Sequence, residues 1–93
     1  MPRNKSDVIS GLKKKGFENT KNSHHQYFTY RTTEGKLSEI FTYTSHSGKE
    51  LNDYLLSNMA RQCRLKKENF LQLIDCSLSQ MDYEQTLKTQ DFL

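Results

Sequence analysis

Residues 24–32 and 37–44 leave the backbone little choice, because both are rich in Tyr, Phe, Thr and Ile, side chains that suit a pleated, half-buried surface. Glu34-Gly35 lies between them, and glycine supplies the positive φ of a two-residue hairpin turn. Such a turn pairs Thr32 with Leu37, Phe28 with Phe41 and Gln26 with Tyr43. One face of the hairpin then carries His24, Gln26, Phe28, Tyr30, Leu37, Phe41 and Tyr43. The other carries His25, Tyr27, Thr29, Arg31, Ile40 and Thr42. The first face is the more apolar and is expected against the core, with His24 at its rim and His25 on the open side. Glu39 on the buried face and Ile40 on the open one sit badly with this register.

The flanking stretches read as one more strand and several helices. Ser6 as N-cap, Asp7 at the positive end of the dipole and Val8, Ile9 and Leu12 on one face predict a helix over 6–15. Lys13-Lys14-Lys15 load its last turn with cations and Gly16 stands at C′, while Gly11 weakens its middle by about 1 kcal/mol relative to Ala. Residues 17–21 form a short edge strand, followed by Asn22-Ser23 as a turn. Beyond the polar loop 45–50, a helix starting near Asn52 presents Leu55, Leu56, Met59, Ala60 and Cys63 to the core. A third helix over 66–74 turns Phe70, Leu71, Leu73 and Ile74 inward, and Ser79 with Asp82 caps a last one marked by Tyr83 and Leu87. The order helix, three strands, helices specifies an α+β domain: a three-stranded antiparallel sheet with helices on one face.

Ninety-three residues make one domain with a small core. Hydrophobic content is only 33%, and five Tyr and five Phe make up part of the shortfall. Cys63 and Cys76 have no CxxC spacing and read as buried thiols in a reducing compartment. The basic start Met1-Pro2-Arg3-Asn4-Lys5 has no apolar run behind it, and no segment approaches the ~20 apolar residues of a membrane span. A soluble, cytoplasmic protein is expected. A net charge of +3 favours a polyanionic or acidic partner. Ser47-Gly48-Lys49-Glu50 lacks the upstream glycine and following Ser/Thr of a phosphate loop, and there is no GxSxG elbow. His24 and His25 point to opposite faces of a strand, so they do not form a metal pair with distant His46; neither metal nor cofactor is expected.

What remains is a histidine pair at a strand mouth, where an imidazole that titrates near neutrality invites acid/base chemistry. Lys49 and the N–H groups heading the Asn52 helix would suit an anion, or the loop would satisfy that helix end itself. Lys14-Lys15-Gly16-Phe17, Ser23-His24-His25, Gly35, His46-Ser47-Gly48-Lys49-Glu50-Leu51, Ala60-Arg61-Gln62 and Phe70-Leu71 together resemble the HicA toxin family. The resemblance covers roughly residues 6–74 and implies an α-β-β-β-α module like a double-stranded-RNA-binding domain; that domain is expected over residues 1–78, with 79–93 as a C-terminal helical extension. It also implies a metal-independent mRNA endonuclease neutralised by a HicB-like antitoxin protein; the chain itself is expected to be a monomer or weak dimer.

Alignment on Tyr27 gives the catalytic role to His24, with His25 as runner-up. Asn22, Ser23, His46, Ser47 and Lys49 form the implied RNA-facing set, with His46 either a second acid/base group or a loop residue. Asn22 stands where that family usually has glycine. Two other readings are a non-catalytic RNA-binding module of the same fold, and a protein-interaction domain using the open face with Tyr27, Thr29 and Arg31.

Overall fold

Asn4 opens the first helix: its side chain accepts the Ser6 N–H at 2.9 Å and the Ser6 hydroxyl at 2.7 Å, so it takes the capping place expected of Ser6. The computed structural model describes residues 3–21, 25–45 and 48–93. Through them the chain forms β1 (Arg3–Asn4), α1 (Lys5–Lys14), β2 (Phe17–Lys21), β3 (His25–Arg31), β4 (Leu37–Ser45), β5 (Glu50–Leu51), α2 (Asp53–Gln62), α3 (Lys67–Ile74) and α4 (Gln80–Thr89). This is an α+β fold with an antiparallel sheet ordered β2-β3-β4. The two-residue strands β1 and β5, which no sequence pattern marks, pair separately. Among the described residues, no helix is long and apolar enough to cross a membrane.

One face of the sheet is sealed by the helices. Phe17, Phe28, Tyr30, Ile40 and Thr42 meet Val8 and Leu12 of α1, Leu56, Met59 and Ala60 of α2, Phe70 and Leu73 of α3, and Tyr83 and Leu87 of α4 in one core. Helix α4 therefore belongs to the same interior as the rest. Ser79 caps it as expected, accepting the Asp82 N–H at 3.1 Å. Helices α2, α3 and α4 are each followed by a non-glycine residue at positive φ: Arg64 (65°), Cys76 (67°) and Asp91 (62°). The N–H groups of Leu65, Ser77 and Phe92 then return to carbonyls of the preceding helix, closing it without the usual glycine.

The hairpin departs from its expected register. Its loop is Thr33-Glu34-Gly35, closed by Gly35 N–H on the Thr32 carbonyl at 2.9 Å and Thr32 N–H on the Lys36 carbonyl at 2.8 Å, with Gly35 at φ 88°. Three loop residues stand where two were expected, so Arg31 pairs with Leu37, one place from the expected register. A bulge in β4 then brings Thr29 opposite Phe41 and Phe28 opposite Thr42, a shift of two that leaves the inward-facing set unchanged. Ser38 bridges the irregularity, its hydroxyl donating to the Tyr30 carbonyl at 2.7 Å and accepting the Ile40 N–H at 3.1 Å. The longer turn inverts β4: Ile40, Thr42 and Thr44 are buried, while Leu37, Phe41 and Tyr43 are exposed. The face assignment of β3 stands, with Phe28 and Tyr30 inside and His25, Tyr27, Thr29 and Arg31 outside.

Two other expectations change. Lys15 is buried, and its ammonium donates to the Leu73 carbonyl at 2.7 Å, neutralising the end of α3 rather than that of α1. Cys63 is fully buried, which pushes its thiol pKa up, but Cys76 is exposed just past α3. A thiol-specific disulfide reagent should therefore label only Cys76 of the native protein, with Cys63 reacting after denaturant is added. Equal labelling rates by peptide mapping would contradict this packing.

Candidate functional site

The start of β3 and the end of β4 meet at one corner of the sheet, where His25 pairs with Ser45. Helix α2 runs beside this corner. Its N-cap Asn52 accepts the Leu55 N–H at 2.9 Å, and its far end is tied to β4 by the Thr42 hydroxyl, which donates to Gln62 Oε1 at 2.6 Å. Helical spacing puts Leu55, Asn58 and Gln62 along the edge that faces the sheet corner. Between them lies a cleft of about 370 Å³, lined by His25, Tyr43 and Ser45 on one side and by Leu55, Asn58 and Arg61 on the other. Leu55, expected in the core, is 41% exposed because it forms this wall.

His25 is half-buried at the rim. Its ring meets Tyr43 edge-on at 5.2 Å between centroids and lies 6.0 Å from Tyr27. The end of β4 is held by Lys5, whose ammonium donates to the Ser45 carbonyl and, at 3.4 Å, to that of Gly48. On the other side of Tyr43 and Arg61 a second cleft, about 260 Å³, adds Glu39, Phe41 and Arg64. Among the described residues neither Arg61 nor Arg64 enters an ion pair, though the Arg64 guanidinium lies over the Phe92 ring at 4.9 Å. The corner thus brings together an imidazole, phenols, a carboxamide and unneutralised guanidinium groups. That set can exchange a proton and hold an anion.

Of the residues picked out by sequence, Asn22, Ser23, His24, His46 and Ser47 lie outside the described residues. His25 is at the cleft, on the open side as its strand position requires. Lys49 is exposed ahead of β5, its carbonyl accepting the Lys5 N–H at 2.8 Å, and it is not among the cleft residues. The head of α2 carries the Asn52 cap and the carboxylate of Asp53, paired with Lys67 at 3.1 Å. A carboxylate in that first turn takes the place expected for a bound anion.

Sequence reasoning missed Tyr43, Phe41 and Asn58 as surface groups. The available signal was the conflict over Glu39 and Ile40, which the three-residue turn resolves. The chain matches no family model, no curated protein and no solved structure with which it was compared.

Proposed function

We propose that this chain is an RNA-cleaving domain of the HicA kind: an mRNA endoribonuclease with an α-β-β-β-α arrangement like that of double-stranded-RNA-binding domains, held in check by a HicB-like antitoxin protein. The observation that carries the reading is the cleft in which the imidazole of His25 faces Arg61 and Asn58 across the end of the sheet. The succession α1, β2, β3, β4, α2 supports it, as does a net charge of +3.

In this reading the substrate's own 2′-hydroxyl attacks the adjacent phosphorus. An imidazole of the His24-His25 pair takes the hydroxyl proton, the 5′-oxygen leaves with a proton from solvent or imidazole, and a 2′,3′-cyclic phosphate and a 5′-hydroxyl end remain. Arg61 would stabilise the charge that builds on the phosphoryl oxygens. His24 keeps the primary role by the motif, and His25 is the alternative that the cleft favours.

The test is cleavage of an mRNA with chelator present, comparing wild type with His24→Ala, His25→Ala and the double variant. One single variant should lose roughly 10²–10⁴-fold in rate, the contribution of a positioned general acid or base. An undiminished rate in the double variant would end the imidazole assignment. RNA binding that falls steeply with salt, without product from wild type, would instead mark a non-catalytic RNA-binding module.

A further inference from the structure

The open face of the sheet carries a continuous aromatic array that the cleavage chemistry does not use. Tyr27 lies 5.7 Å from Tyr43 and 6.3 Å from Phe41, and His25 joins them at the cleft end. Phe41 and Tyr43 are 46% and 40% exposed, large values for aromatic rings on a strand. Thr29 and Thr20, paired with Phe41 and Tyr27, complete the patch. Across these middle rungs the face carries rings, hydroxyls, imidazole and the carboxylate of Glu18, which pairs with Thr29, and no aliphatic side chain.

We propose that this face is a stacking platform for successive bases of single-stranded RNA, with Arg61 and Arg64 taking the backbone phosphates along its α2 edge. The claim rests on the RNA reading for its ligand class and deepens it, because it names unpaired RNA over duplex as what enters the cleft. Flat π faces of neighbouring rings accept any base, and stacking of this kind needs no base-specific hydrogen bonds. The charge is complementary on the required side. Arg61 and Arg64 flank Phe41 and Tyr43, with Glu39 the one carboxylate in that cleft. On the far strand, Glu18 is already neutralised by Arg31 at 2.6 Å. A strand of RNA lying across the rings would run into the His25 cleft at one end.

The experiment uses the full chain and a short oligouridine bearing 2′-O-methyl groups, which lacks the nucleophilic hydroxyl and cannot be cut by the proposed route. Its binding is therefore read whether or not the protein is a nuclease. Fluorescence anisotropy should show wild type binding this strand more tightly than a blunt duplex of the same length. Tyr27→Leu combined with Phe41→Leu keeps apolar bulk but removes two ring faces, and should weaken single-strand binding roughly 5- to 150-fold for each stacked base lost. Duplex affinity should stay unchanged. Arg61→Gln, which leaves the rings intact, should lower the slope of log affinity against log salt by about 0.7.

Equal single-strand affinity in the Leu variant, or an unchanged slope for Arg61→Gln, would overturn the platform. So would a concentration-dependent dimer of wild type that the Leu variant abolishes, since the face would then belong to a second copy of the chain.

Discussion

Gly11→Val should lower the thermal unfolding midpoint by roughly 10 °C, from about 2 kcal/mol of lost stability in a domain of this size. The sign is the opposite of what helix propensity gives, since replacing a mid-helix glycine ordinarily gains up to about 1 kcal/mol. The difference lies in what faces Gly11. A Cβ there would come within 2.7 Å of the Ile74 carbonyl oxygen and 2.9 Å of its Cα and Cγ2. Two of those atoms are backbone at the end of α3 and cannot rotate away. Overpacking of this kind typically costs about 1–3 kcal/mol, so it outweighs the propensity term even for Ala, and valine adds two more methyl groups. Ile74→Ala removes Cγ2 but not the carbonyl, so it should fail to rescue Gly11→Val. Circular dichroism melts of Gly11→Ala, Gly11→Val and the double variant decide the matter. A higher midpoint for Gly11→Ala would mean that α1 and α3 do not approach as closely as described.

Where local side chains fix an element, the sequence was readable. The 17–21 strand has the expected bounds, the Ser79 cap bonds as read, and Asn52 stands at the start of α2. What was hidden depended on contacts distant in sequence. Gly11 reads as a weak spot until α3 is packed on it, and Lys15 reads as a charge on its own helix until Leu73 is found at its tip. The bulge in β4 rests on the Ser38 hydroxyl replacing ladder bonds, which no alternation pattern records. The turn, one residue longer than a two-residue hairpin, decided the candidate site. It turned Phe41 and Tyr43 from presumed core into the surface beside His25. The third helix ends at Ile74 as expected, but no glycine marks the left-handed residues Arg64, Cys76 and Asp91 that close α2, α3 and α4.

Glu84→Ala should be at least as damaging, on the order of 3 kcal/mol, because it takes one buried carboxylate from Tyr30, Thr33 and Lys88 at once. Glu84 is only 4% exposed and joins α4 to the hairpin. Its Oε1 accepts the Tyr30 hydroxyl at 2.8 Å and the Thr33 N–H at 2.8 Å, its Oε2 accepts the Thr33 hydroxyl at 2.9 Å, and Lys88 lies 3.5 Å away. Burial alone would raise this carboxyl's pKa, but the hydrogen bonds from Thr33, Tyr30 and Lys88 outweigh it and hold it below the ordinary 4.5. Burial, reinforced by Glu84, holds the Tyr30 phenol above its ordinary range, so it stays a donor from acid pH through neutrality. A depressed native pKa means that the unfolded chain takes up the proton first. The stabilisation is therefore complete above the ordinary glutamate value and is lost as pH falls from there through the native pKa. Glu84→Gln keeps the shape and removes the titration. The stability difference between wild type and Glu84→Gln should thus be largest near neutrality and shrink as pH drops below 4.5. Tyr30→Phe supplies the second check, since in a double-mutant cycle with Glu84→Ala it should couple by roughly 0.5–3 kcal/mol. Additive losses, or a wild-type advantage over Glu84→Gln that persists undiminished in acid, would show that this carboxylate does not hold α4 to the sheet.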